Sequence, residues 1–241
     1  MTNPRRVRLP YPQAGAAVDT LAAWIPAGPP PWPLHPGDLG WALRFEDTVI
    51  DLWLDGDTPV AVGMTDGDEY RFAGELDLPF EDIPPWVYLY KPLAPVSGDH
   101  PDLSEDDIAD RVAVQRAAFE RSTFTIERWK AMRASPAGHL CVEVLVRAAD
   151  GQPASGVTGW LAGQGKCAVI EPMGTHPAQR GKGYGREALL RIGDTLAARG
   201  ASGVCVQTPA SNTAGVALYR SAGFTVTGED SRSFHLDEHA L

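Results

Sequence analysis

At 241 residues, 44% apolar and 22% charged, the chain is long enough to bury a sizeable core as one large domain or two small ones. It has no run of eighteen apolar residues and no basic segment leading into an apolar one, which excludes a membrane partner and a secretion signal from expectation and favours a cytoplasmic location. The formal charge of -10 falls almost wholly on residues 1–100, with 15 acidic against 6 basic side chains there and 16 against 15 beyond; such a field repels nucleic acid and draws a cationic small molecule or a basic surface.

In chain order, "AVDTLAAWI" (17–25) has the spacing of a helix. The stretch 49–74 reads as strands joined by Asp-Gly turns at 55–56 and 66–67. Proline clusters at 28–36, 83–86 and 91–101 are expected to interrupt regular structure, because proline lacks an N–H and disfavours helix at the residue before it. The last cluster reads as a linker, so a boundary near residue 100 would separate a small acidic α+β domain (1–100) from a second domain (101–241). Ser104 is the expected cap of a helix over 104–119. A short helix (125–134), strands 140–148, 155–163 and 166–175, a helix 184–199, a strand 203–208 and a helix 213–221 follow. Strands 223–228 and 231–237 close the chain as a pair. This order predicts an α/β (α+β layered) fold with a mixed central sheet. Cys141, Cys167 and Cys205 are too widely spaced for a zinc site or a disulfide framework and are expected buried and reduced.

The chemistry concentrates in "THPAQRGKGYGREALL" (175–190). A strand ends at Thr175, the chain turns through His176-Pro177, and Gly181, Gly183 and Gly185 allow positive φ or close backbone approach where a helix begins. Free N–H groups at that helix start, with Arg180, Lys182 and Arg186 nearby, make a receptor for a phosphate or pyrophosphate. A P-loop would need a hydroxyl after Lys182, where Gly183 stands, and a dinucleotide fingerprint would need GxGxxG, where the glycines alternate. What fits is Arg/Gln-x-x-Gly-x-Gly as Arg180–Gly185, followed by "NTAGVALYRSAGF" (212–224).

On these residues the stretch from about 102 to 238 resembles the GNAT superfamily of acetyl-CoA-dependent N-acetyltransferases, and the first hundred residues resemble a degenerate half of the same fold, as in tandem members. The resemblance implies acetyl-CoA as the cofactor, its pyrophosphate on the amides of Arg180, Gly181, Lys182, Gly183, Tyr184, Gly185 and Arg186. Met173, Gly174 and Thr175 would lie beside the pantetheine, and Asn212 would touch the cofactor where parallel strands splay. Tyr219 would protonate the leaving thiolate, as a phenol protonated at neutral pH can. Glu171 would be the base that frees the amine of its proton; period-two geometry would set it on one face with Met173 and Thr175. A backbone N–H near Gly174 or Thr175 would stabilise the oxyanion. Glu120, Ser122, Phe124 and Trp160 would line the acceptor site. The expected activity is transfer to an amine of a small cationic acceptor by direct attack. An inactive acyl-CoA-binding module, another acyl group, or a hydroxyl acceptor stand as alternatives. The expected partners are a small-molecule or peptide amine and, at most, a second copy of the chain, without nucleic acid, membrane or metal.

Overall fold

The computed structural model describes residues 4–236 apart from 32, 46, 67, 68 and 99. Strands β1 (Arg5–Leu9), β2 (Ile50–Asp55), β3 (Thr58–Asp66) and β4 (Glu69–Gly74) form an antiparallel sheet in chain order. Gly56, at φ 61°, makes the Asp55-Gly56 turn between β2 and β3. The expected Asp66-Gly67 turn lies in part outside the described residues. Between β1 and β2 come helices α1 (Gly15–Trp24) and α2 (Pro36–Ala42). A reciprocal cap starts α2: His35 Nδ1 accepts the Gly37 N–H at 3.0 Å, and the Asp38 carboxylate accepts the His35 N–H at 2.6 Å.

The second sheet has six strands: β5 (Phe80–Pro92), β6 (Cys141–Arg147), β7 (Pro153–Trp160), β8 (Cys167–Thr175), β9 (Gly203–Pro209) and β10 (Thr225–Phe234), in the order β10-β5-β9-β8-β7-β6. Only β8 and β9 pair in parallel, so the sheet is mixed as expected. Helices α3 (Ile108–Ala118) and α4 (Ile126–Ala134) precede β6, while α5 (Tyr184–Ala198) and α6 (Thr213–Ser221) flank β9. The order β-α-α-β-β-β therefore occurs twice, as β1 to β4 and again as β5 to β8. Only the second copy continues into the glycine-rich turn and α5.

Three local expectations are corrected. The prolines at 84 and 85 do not interrupt β5. Its pairing with β10 jumps from Asp82↔Arg232 to Trp86↔Asp230, and its pairing with β9 begins only at Trp86, so Ile83 to Pro85 sit where no ladder N–H is required. The C-terminal strand pair is one strand, β10, with two register shifts; the place of its hairpin partner is taken by β5, from the stretch assigned by sequence to the first domain. Ser104 does not cap α3. It donates to Asp107 Oδ2 at 2.7 Å ahead of a short 3-10 turn, and α3 begins at Ile108.

Helices α1 and α2 lie between the sheets. Their apolar residues Ala17, Val18, Leu21 and Leu39 share one core with Ile50 and Val62 of the first sheet and Trp160, Cys167, Val169 and Cys205 of the second. On the far side, α5 presents the stripe Ala188, Leu189, Ile192, Leu196, the i, i+1, i+4, i+8 pattern of a buried face, to Val157, Ile170 and Val204. All three cysteines are buried and free. No helix of the described residues is long and apolar enough to cross a membrane.

Candidate active site

Strands β8 and β9 are paired over three positions only, ending at Val169↔Cys205, and then part. The opening they leave is the centre of the site. On the α5 side, Gly181 and Gly183 have φ of 74° and 92°, and a Cβ at either would meet nothing within 4 Å, so both are glycine for backbone conformation and leave open space before the amides of α5. Gly185 is glycine for a different reason: a Cβ there would stand 2.9 Å from Thr175 Oγ1 and 3.2 Å from Met173 Cε. The basic side chains brace the rim. Arg180 donates to the Ala118 carbonyl at 3.2 Å, Lys182 to Gln179 at 3.0 Å, and Arg186 to the Ser221 carbonyl at 2.8 Å.

One continuous cleft is lined by Met173, Gly174, Thr175, Arg180, Gly181, Gly183, Tyr184, Gly185, Arg186, Asn212 and Tyr219. Lys182 alone among the expected coenzyme-side residues does not line it. Ala118, Phe119 and Leu218 join it unforeseen by the sequence. Asn212 works first as the cap of α6: its Oδ1 accepts the Gly215 N–H at 3.1 Å and its amide donates to Thr208 Oγ1 at 2.9 Å.

Glu171 sits at a β-bulge. Pairing of β7 with β8 passes from Val157↔Met173 to Gly159↔Ile170, so Glu171 and Pro172 together oppose Thr158. The extra residue breaks the alternation, and the expected common face is corrected: Met173 and Thr175 point to α5, whereas Glu171 lines chambers on the α2 and α3 side with Asp38 and Trp41. The bulge is held from below by Trp160, whose indole N–H donates to the Glu171 carbonyl at 2.7 Å. Trp160 is fully buried against Gly37 and Gly40 of α2, where no Cβ could fit; it supports the bulge rather than lining the chambers that reach Glu171, where the sequence had expected it. Glu120, Ser122 and Phe124 do line a chamber that reaches Glu171, with Phe124 packed on Trp41 at a ring separation of 5.1 Å.

Tyr219, on α6, is 8% exposed and packs edge to face on Phe224. Burial pushes its phenol pKa well above the ordinary value of 10, and the nearby charge of Glu171 pushes it further. The sequence did not point to the second group of chamber residues, Arg71 and Phe72 of β4, Tyr88 of β5, and Asp230 and Arg232 of β10. Only the pairing of β5 with β10 and the stacking of the two sheets bring them to Glu171.

Residues 105–224 match the family model described as acetyltransferase (GNAT) family. The chain carries a GNAT acetyltransferase domain. The chain is similar to two curated relatives named mycothiol acetyltransferase, over more than the matched domain. That of Renibacterium salmoninarum is 26% identical over 159 residues, 61% of this chain and 38% of its own length. That of Clavibacter sepedonicus is 31% identical over 189 residues, 73% of this chain and 59% of its own. The chain thus spans less than two thirds of either relative. Among solved structures, a GCN5-related N-acetyltransferase from Sphaerobacter thermophilus shares the fold over 97% of this chain and 96% of that one, at a TM-score of 0.54 and 17% identity. That match takes in the N-terminal sheet together with the GNAT domain.

Proposed function

We propose that the protein transfers the acetyl group of acetyl-CoA to an amine of a small cationic acceptor by direct attack. The observation that carries this reading is the parting of β8 from β9 beyond Val169↔Cys205, with a cleft lined by Tyr219 and the glycine-rich turn on one side of the opening and the chambers lined by Glu171 on the other. The cleft fits coenzyme A: the amides at the start of α5 face open space beside Gly181 and Gly183, and cationic side chains stand at its rim. Bound there, acetyl-CoA supplies an activated thioester.

Glu171 then has the work of a base. An ammonium has no lone pair, so its proton must go to the carboxylate, directly or through water, before nitrogen attacks. Tyr219 has the work of an acid. Its raised pKa keeps the phenol protonated across the neutral range, ready to donate to sulfur as the carbon–sulfur bond breaks. Trp160 is a positioning residue, fixing the bulge from which Glu171 projects.

The test is thiol release from acetyl-CoA with a panel of amines that includes polyamines, aminoglycosides, amino acids, peptides and a mycothiol-type acceptor, the last because both curated relatives bear that name. Glu171→Gln is expected to lower kcat by about 100-fold or more and Tyr219→Phe by roughly tenfold to 100-fold, with the KM for acetyl-CoA little changed. Coenzyme binding without turnover on any amine would instead mark an acyl-CoA-binding regulatory module. Unchanged rates in both variants would overturn the assigned roles and leave the cofactor reading standing.

A further inference from the structure

Helix α3 carries a buried charge for which acetyl transfer itself has no use. Arg111 is fully buried, packed so closely on β7 that a Cβ at Gly156 would stand 2.8 Å from its Cδ. Its Nε lies 3.2 Å from Glu143 Oε1, and its Nη2 donates to Thr158 Oγ1 at 2.8 Å. Thr158 Oγ1 donates in turn to Glu143 Oε1 at 2.9 Å, and the Trp129 indole N–H donates to the other oxygen of the same carboxylate. The remaining end of the guanidinium, Nη1, donates to Gln115 Oε1 at 3.2 Å, one turn further along α3.

That last bond decides which way Gln115 faces. A guanidinium carries donors only, so the carboxamide must turn its oxygen to Arg111, and its NH2 is left facing away. Gln115 is 3% exposed, and among the described residues none accepts from that NH2. The cavity it borders is the chamber of Glu120, Ser122, Phe124 and Glu171. A buried N–H calls for an acceptor, and a carboxamide whose oxygen is bonded to a cation is the stronger donor at its nitrogen. Thr158, at the other end of the guanidinium, opposes the bulge of Glu171 and Pro172, so one small molecule can reach both Gln115 and Glu171.

We infer that Gln115 binds the acceptor substrate, its carboxamide N–H donating to a hydrogen-bond-accepting oxygen that the acceptor carries close to its amine, and that Arg111 is the positioning residue that fixes the direction of this donor. The inference rests on the acetyl-transfer reading for the amine at Glu171.

Gln115→Glu separates the two duties of the side chain: ionised beside Arg111, the new carboxylate still accepts from the guanidinium but donates nothing. Two pairs of amines differ chiefly by the oxygen, 2-methoxyethylamine against butylamine and glycine dimethylamide against 2,3-dimethylbutylamine. Calorimetry on the full chain without acetyl-CoA measures binding, and thiol release with acetyl-CoA measures turnover. In Gln115→Glu at least one oxygen-bearing amine is expected to lose about fivefold or more in affinity relative to its oxygen-free partner, the comparison within a pair cancelling the effect of the new charge on the ammonium. The pair with the larger loss tells a carbonyl oxygen from an ether oxygen. The KM for acetyl-CoA is expected to stay within about twofold of the parent. Arg111→Lys, which keeps a charge against Glu143 without the planar fork, is expected to show a smaller relative loss of the same kind, whereas an equal fall for all four amines overturns the positioning role. Equal changes within both pairs in a folded Gln115→Glu protein, or no binding of either oxygen-bearing amine to the parent, overturns the inference. A relative loss in binding with no turnover of any amine upholds the assignment of Gln115 and overturns acetyl transfer. Turnover of the amines with equal changes within both pairs does the reverse.

Discussion

His35 is 1% exposed, and its two ring nitrogens have opposite duties. Nδ1 accepts the Gly37 N–H, while Nε2 lies 3.1 Å from the Cys167 carbonyl and must donate, so only the neutral ring protonated at Nε2 serves both. Burial pushes its pKa from 6.5 down to about 4, against the pull of Asp38. Between those values the unfolded chain holds a proton that the folded chain does not, so folding stability rises with pH and is lost as pH falls from about 6.5 to about 4. The full effect is worth about 3 kcal/mol. Thermal melts across that interval are expected to show the decline, and His35→Gln, which cannot titrate there, to show a shallower one; parallel slopes would sink the idea. This residue was beyond the sequence reading, because a histidine between two prolines gives no sign of the carbonyl on a distant strand that it will meet. Gly181 and Gly183 were legible because their roles are local, and Gly185 only as part of the same turn, since what requires it is its approach to Thr175 and Met173 of β8. Arg71, Tyr88 and Asp230 were not, because their shared chamber exists only after two sheets stack.

At the scale of elements, α2 against β7 is the contact that supports the bulge at Glu171. Gly40 faces the ring of Trp160 with no room for a Cβ. Alanine there has two opposing effects: better helix propensity, worth about 1 kcal/mol, and overpacking of a closed contact, costing about 1–3 kcal/mol. The second dominates, since Trp160 is fully buried and cannot retreat. Gly40→Ala is therefore expected to lower the melting temperature and, by displacing the indole that holds the Glu171 carbonyl, to reduce kcat more than the KM for acetyl-CoA. A stabilised protein of unchanged kcat would show the contact to be slack. Helices α1 and α3 to α6 were readable from the sequence, most clearly α5 with its one-sided stripe of Ala188, Leu189, Ile192 and Leu196, whereas α2 was not, because it begins at Pro36 inside a proline cluster that reads as a breaker. Strand β5 was not, because Pro84 and Pro85 read as breakers until the gap in its pairing at Ile83 to Pro85 is seen. The bulge at Glu171 was also hidden. Its extra residue shows only against the facing strand, and it sends the carboxylate to the face opposite Met173 and Thr175.

For the whole molecule, the two halves share a core through α1 and α2 and a sheet through β5. Calorimetry is expected to give one unfolding transition whose calorimetric and van't Hoff enthalpies agree, rather than separate transitions for residues before and after the 93–104 connection. Two resolved peaks would show the halves to be independent. The position of β5 also fixes an order of events during synthesis. Its neighbours, Gly203–Pro209 and Thr225–Phe234, are translated long after it, so the strand leaves the ribosome with both edges bare and stays so through the appearance of α3, β8 and α5. From the synthesis of β5 until that of β10 the nascent chain therefore carries an unpaired sheet edge, the kind that invites wrong pairing, and β10 is the strand that closes it.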